Sequence, residues 1–231
     1  MKIYYPSVGK RINKWEDLYI NEGYRWGILP SLCAHIALAD IDLLTKKSGL
    51  LLDLGCGYGR DVALFTKMFP EMSILGLEPT KTAVDLAKFI NPKSNYNGLI
   101  CMDVFDYFRR KEKSQYDVIF ANYFIHLFSE NEQYTILNLI RDRLSPKGVV
   151  IFSWLSNYDR HYGKGKKICN GSYHVYRDIP WRFVNVKDVE KMISSTGMRI
   201  LKIYDYVEVE LIKGKADRVN SIYTVFVNDS F

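Results

Sequence analysis

Apolar runs of strand length alternate along this chain with stretches whose apolar residues recur at helical intervals. Leu50, Leu51, Leu52 and Leu54 open the series, and runs at 73–77, 98–101, 116–121 and 149–154 repeat the pattern of strands buried on both faces. Between them, 59–69, 80–90, 103–112 and 130–143 carry helical spacing, the order that right-handed crossovers on a parallel sheet require. Upstream, Leu32, Ile36, Leu38, Ile41 and Leu44 follow Pro30 at near-helical intervals and predict one or two helices over about 14–46. Downstream, a helix near 186–196 ends before Gly197, and two long β-rich runs follow at 199–210 and 221–227. No repeat, low-complexity tract or linker divides the chain, which predicts one domain over 1–231, with a helical cap at about 10–47 and an insert at about 155–182.

The polar residues that interrupt this pattern fall at strand ends. Asp53 precedes a turn in which Gly55, Gly57 and Gly59 let the backbone bend and approach a ligand without Cβ interference. The spacing is G-x-G-x-G, and Arg60 stands where a dinucleotide-binding G-x-G-x-x-G needs its last glycine, which weakens a nicotinamide reading. An acid before the turn suits an ammonium better than a pyrophosphate, and so points to S-adenosylmethionine, a nucleoside joined to a zwitterionic amino acid. Glu78 ends the second run at about the distance where a βαβ unit places its ribose-binding acid. Asp103, with the N–H of Val104 beside it, ends the third and can read an adenine edge. A structural turn and helix-capping carboxylates account for the same residues taken one at a time. Their shared place at the carboxyl ends of strands, where open parallel sheets bind ligands, favours a site.

On Asp53, Gly55, Gly57, Glu78, Asp103 and Val104, the chain resembles the class I S-adenosylmethionine-dependent methyltransferases. The run 116–121 followed by Asn122-Tyr123-Phe124-Ile125-His126-Leu127, and the fifth run introduced by Leu144-Ser145-Pro146-Lys147-Gly148, extend the resemblance over nearly the whole length. It implies an α/β fold, a doubly wound, mostly parallel seven-stranded sheet with an antiparallel C-terminal strand pair. It also implies that Asp53, Gly55 and Gly57 surround the methionine part of the cofactor, that Glu78 binds the ribose, and that Asp103 and Val104 hold the adenine. Cys56, Pro79, Asn122 and Tyr123 complete the cofactor contacts expected on this basis. The flanks, with Trp15, Tyr19, Gly23, Trp26-Gly27 and Pro30-Ser31, and later Tyr162-Gly163-x-Gly165 with Phe183, are similar to the small-molecule and tellurite-resistance type. The implied activity is methyl transfer to a small-molecule acceptor by in-line displacement, leaving S-adenosylhomocysteine. An RNA or protein methyltransferase, and a non-catalytic S-adenosylmethionine-binding protein, are the alternatives.

Transfer from a sulfonium depends mainly on alignment, worth about 7–11 kcal/mol in favourable cases, so a base is needed only where the accepting atom carries a proton. His126, after the fourth run, is the candidate base, with a solvent-facing or Phe128-packed histidine as the alternative. The segment from Trp154 to Trp181 holds Tyr158, His161, Tyr162, Tyr173, His174 and Tyr176, enough aromatic surface for a lid. Tyr158, Tyr162 and, from the cap, Trp26 are the substrate candidates, and plain packing explains such residues equally well.

Composition narrows this reading only a little. An apolar content of 48% over 231 residues fills a substantial core. The formal charge of +6 invites a nucleic-acid reading, but Arg109-Arg110-Lys111 reads as a solvated helix end. Lys164-Gly165-Lys166-Lys167, beside the expected substrate mouth, keeps nucleic acid possible without favouring it. Asn122-Tyr123-Phe124 lacks the two prolines of enzymes that methylate nucleic-acid amino groups, and no phosphate loop or H-E-x-x-H helix is present. Cys33, Cys56, Cys101 and Cys169 lack metal-ligand spacing and read as free thiols, Cys56 and Cys101 in elements expected to be buried or near the cofactor; no metal is expected. Without a membrane-length apolar run or a secretory start, the expectation is a cytoplasmic enzyme, monomer or homodimer, with no membrane partner.

Overall fold

A computed structural model describes residues 5–90, 98–110, 114–176, 178–212 and 215–229. Two helices, α1 (Val8–Glu22) and α2 (Leu32–Leu44), precede the sheet. Then β1 (Gly49–Leu54), α3 (Arg60–Met68), β2 (Met72–Glu78), α4 (Lys81–Ile90), β3 (Leu99–Cys101), α5 (Val104–Arg109), β4 (Tyr116–Ala121), α6 (Glu130–Arg141) and β5 (Leu144–Leu155) alternate as the periodicity predicts. Strands β6 (Lys166–Cys169), β7 (Ser172–Tyr176) and β8 (Ile179–Arg182) form a separate antiparallel sheet. Helix α7 (Val186–Ser194) leads into β9 (Met198–Ile212) and β10 (Lys215–Asn228).

The main sheet runs β3-β2-β1-β4-β5-β10-β9, with the first five strands parallel and β10 antiparallel to both neighbours. Strand order therefore reverses beside β1, between β2 and β4, which opens a crevice at the carboxyl ends of those strands. The leucine run of β1 explains why this strand is central. Leu51 packs with Val118, Phe120 and Ile151 in one core and Leu52 with Ile119, Val150 and Phe152 in the other, because successive residues point to opposite faces. Each such side chain, fully buried, contributes about 1.5–3 kcal/mol of transfer free energy. No helix among the described residues is long and apolar enough to cross a membrane.

Three expectations change. The segment read only as an aromatic insert folds into β6, β7 and β8, short strands of four or five residues in which lysines and scattered tyrosines leave no clear period-two pattern. Cys101 is exposed, because β3 is a short edge strand, whereas Cys56 is half-buried in the turn after β1. Helix α5 ends at Arg109, where Arg109 pairs with Asp106; Lys111 lies outside the described residues.

Candidate active site

The crevice deepens into a cavity of about 190 Å³ walled by strand ends, by α1 and the turn after it, by the insert and by the β9–β10 hairpin. Its floor is the turn after β1. The N–H groups of Gly55 and Cys56 donate to Leu77 O at 2.8 and 3.1 Å, pinning the turn to β2. Gly55 and Gly57 have φ of 68° and 55°, and a Cβ would come within 2.4 Å of the Phe124 ring or 2.9 Å of Tyr19 Oη. Only glycine meets both demands.

Asp53 is buried at the mouth of this turn, and its Oδ2 has no hydrogen-bond partner among the described residues. Burial first, then the nearby Asp61 and Glu78 carboxylates, push its carboxyl well above the usual range, against the pull of Arg60. A buried carboxylate oxygen with no donor, in negative surroundings, fits the ammonium group of a ligand.

The other two acids take part in local structure while lining the cavity. Glu78 accepts from Gly57 N at 3.1 Å through Oε2, and from Thr80 N and Oγ1 at 3.0 and 2.6 Å through Oε1; burial raises it despite these bonds. Asp103 caps α5, its Oδ1 accepting from Phe105 N and Asp106 N at 2.9 and 3.2 Å. The cap bypasses Val104, whose N–H is one of the orphan donors of a helix start. The capping account of these carboxylates and the site account thus hold together. Pro79, Asn122 and Tyr123 also line the cavity. Ser153 Oγ donates to Asn122 Oδ1 at 2.6 Å and accepts from Tyr123 N at 2.9 Å, fixing the turn after β4, where Tyr123 has a φ of 49°.

His126 sits in a short 3-10 turn, Ile125–Leu127, and reaches the cavity wall. Burial depresses it to about 3, with Asp159 opposing, so it stays a neutral imidazole; its Nδ1 has no partner among the described residues. Such a histidine can hydrogen-bond a ligand but is a weak base near neutral pH.

The cap is tied down at several points. Arg11, buried, makes two bonds to Glu132 at 2.6 and 3.3 Å, and Glu132 also closes the capping box of α6 with Ser129. Thr82 N donates to Glu16 at 3.1 Å, and Tyr24 Oη donates to Leu86 O at 2.9 Å. Arg60 spans Glu210 on β9, at 2.6 and 3.1 Å, and the carbonyls of Trp26 and Leu29, both at 3.3 Å. Trp26 lines the cavity within a cluster with Trp15 and Tyr19, its ring 5.8 and 6.3 Å from theirs.

From the insert, His161 and Trp181 reach the wall. Tyr158 and Tyr162 do not: Tyr158 is 75% exposed, and Tyr162 stacks on Tyr173 and Phe183 at 5.6 and 5.7 Å, away from the lining. Lys164, Lys166 and Lys167 are exposed and also outside it. The site gains Arg11, His161, Trp181 and Glu210, which sequence reasoning left unassigned. The one local signal was the Ser129-x-x-Glu132 capping box; the remaining contacts join residues far apart in the chain.

The chain is similar to methyltransferases in sequence and in fold. A family profile described as a methyltransferase domain matches residues 45–201. Over 107 residues the chain is 29% identical to the malonyl-[acyl-carrier protein] O-methyltransferase of Priestia megaterium, covering 46% of this chain but only 37% of that protein. A structure solved for the conversion of a disulfide bond into a thioacetal group during echinomycin biosynthesis superposes with a TM-score of 0.73 at 17% identity, over 95% of this chain and 92% of that one. The Burkholderia thailandensis 1,6-didemethyltoxoflavin-N1-methyltransferase, solved with its substrate and S-adenosylhomocysteine, superposes with a TM-score of 0.63 at 15% identity, over 96% and 85%. At these identities the structural likeness shows a shared fold. Matched over more than half its length, the chain belongs to the methyltransferase-domain family.

Proposed function

We propose that this chain is an S-adenosylmethionine-dependent methyltransferase acting on a small molecule. The observation that carries the cofactor is Asp53, a buried carboxylate with an unpartnered oxygen at the carboxyl end of β1. In this reading Asp53, Gly55, Cys56 and Gly57 hold the methionine end, Glu78 and Pro79 the ribose, and Asp103 and Val104 the adenine, with Asn122 and Tyr123 closing the side. The bound cofactor supplies an activated methyl on a sulfonium. The chain's part is to bind, to align the acceptor and to exclude water, and alignment contributes most where the nucleophile is already reactive.

A small acceptor is favoured because the cavity is covered from three sides, by α1, by the insert and by the hairpin, and because the insert's exposed lysines lie outside it. The small molecule bound by the Burkholderia thailandensis enzyme, 1,6-didemethyltoxoflavin, supports this reading, in which the cap is of the small-molecule and tellurite-resistance type. Calorimetry with S-adenosylhomocysteine tests the cofactor reading. The wild type is expected to bind, and Asp53→Ala to bind at least tenfold more weakly, about the 1.4 kcal/mol or more that one charged hydrogen bond contributes. Absence of binding by folded wild type would overturn it. Co-purifying RNA, released by salt, would favour the nucleic-acid alternative.

A further inference from the structure

His161, in the cavity wall, pairs with Asp159, which is buried outside the lining, and the cofactor reading leaves this pair unused. Asp159 is buried, 4% exposed, at the start of the insert. Its Oδ1 accepts from His161 N and faces His161 Nδ1, both at 2.8 Å, and its Oδ2 accepts from Asn220 N on β10 at 2.8 Å. Burial alone would raise this carboxyl, but those bonds outweigh it and hold it below its ordinary value. A carboxylate in that position assigns the proton of neutral His161 to Nδ1, leaving Nε2 as an acceptor. Among the described residues Nε2 has no hydrogen bond, and the ring lies on the cavity wall 5.5 Å from Trp181.

His126 packs against the same tryptophan, 5.7 Å between ring centres, and the Trp181 Nε1 and His126 Nδ1 atoms are both buried without partners among the described residues. The two imidazoles meet the indole edge to face, at interplanar angles of 87° and 78°, and leave polar atoms unmet in the wall, the lining of a site for an aromatic ligand bearing polar groups. Charge excludes an anion. Arg11 and Arg60 line the cavity but each is engaged by a carboxylate, Glu132 or Glu210, while Asp53, Glu78 and Asp103 bring further acidic side chains rather than a cation.

Resting on the methyltransferase reading above, we infer that His161, positioned by Asp159, is the base that deprotonates the accepting group, and that this wall takes a planar, uncharged acceptor with an acidic hydroxyl. The acceptor oxygen forms its bond to the methyl carbon as the carbon–sulfur bond breaks with its electron pair left on sulfur. The hydroxyl proton passes to His161 Nε2, and Asp159 stabilises the resulting imidazolium.

The test uses 2-naphthol as the probe, with 2-naphthoate as its anionic counterpart. S-Adenosylhomocysteine-loaded wild type binds 2-naphthol and not 2-naphthoate, and with S-adenosylmethionine it turns 2-naphthol over. His161→Ala keeps its S-adenosylhomocysteine affinity but loses about 10²- to 10⁴-fold in turnover, the usual worth of a general base. The loss shrinks for 4-nitrophenol at mildly acidic pH, where that acceptor is still mostly neutral but gives up its proton more easily than 2-naphthol. Nitrogen-15 spectra show the Nδ1–H tautomer of His161 in the wild type and a mixture in Asp159→Asn, a signature that a merely structural aspartate would not move. Wild type that binds S-adenosylhomocysteine but neither binds nor methylates 2-naphthol, or a His161→Ala variant with undiminished turnover, overturns the inference while leaving the cofactor reading standing. Failure to bind S-adenosylhomocysteine at all removes both.

Discussion

Asp53 is a residue whose stability cost follows from its proposed task. Its carboxyl is raised by burial, so the native state holds a proton more tightly than the unfolded chain does. Stability therefore falls as pH climbs from the unfolded value, about 3.9, through the higher folded one. Asp53→Asn removes that ionisation while keeping shape. Its melting temperature above neutral pH is expected to exceed that of the wild type by about 2–4 °C, what 1 kcal/mol is worth in a chain of this size. The advantage fades towards pH 4. Thermal scans across pH check this, and an unchanged or lower midpoint at pH 8 would mean that Asp53 already has a donor in the free protein. Gain in stability with loss of ligand affinity is the trade expected of a site residue.

The β9–β10 hairpin shows how an element is held over the site, and why it was only half legible. The two β-rich runs were plain in the sequence, because their alternating Val, Ile and Tyr positions belong to local pairing. Their length was not: β9 continues to Ile212, and its inward carboxylates Glu208 and Glu210 find partners in α2, α3 and the turn after β4. An acid at alternate positions of a strand normally marks a solvated face, and only the tertiary partners turn that face inward. Glu208 accepts from Leu32 N at 2.6 Å and from Tyr123 Oη at 3.0 Å, and burial, helped by Glu210, lifts it to about 7. A raised carboxyl stabilises the protonated hairpin at low pH, and that contribution is lost between the unfolded value of about 4.3 and the folded value near 7. Glu208→Gln is accordingly expected to melt close to wild type at pH 5 and above it at pH 8.5. Parallel melting profiles for the two proteins would rule out this titration.

At the scale of the whole molecule, the half of the candidate site proposed for the cofactor was legible in the sequence, and the half proposed for the acceptor was not. Asp53 and Glu78 stand at the carboxyl ends of β1 and β2, and Asp103 two residues after β3, so the order of motifs places them. The cover is instead built from contacts such as Arg11 to Glu132 and Arg60 to Glu210, 121 and 150 residues apart, which no local pattern encodes. Two parts of that cover touch each other: Tyr5 Oη donates to Ser172 Oγ at 2.8 Å, and Lys14 Nζ to Asp178 O at 2.9 Å, joining the α1 region to the insert. A ligand in the covered cavity needs one of them to open, and the ties make opening of one loosen the other. Saturating S-adenosylhomocysteine, at a hundredfold excess over its dissociation constant, adds about 2.7 kcal/mol to the closed state. Hydrogen exchange should then slow together in 8–22 and 161–176, although the insert is not expected to contact the methionine, ribose or adenine. In a Tyr5→Phe, Lys14→Ala variant the protection of 8–22 should persist while that of 161–176 falls away. Protection confined to the ends of β1, β2 and β3 in the wild type would show that the cap and the insert move independently.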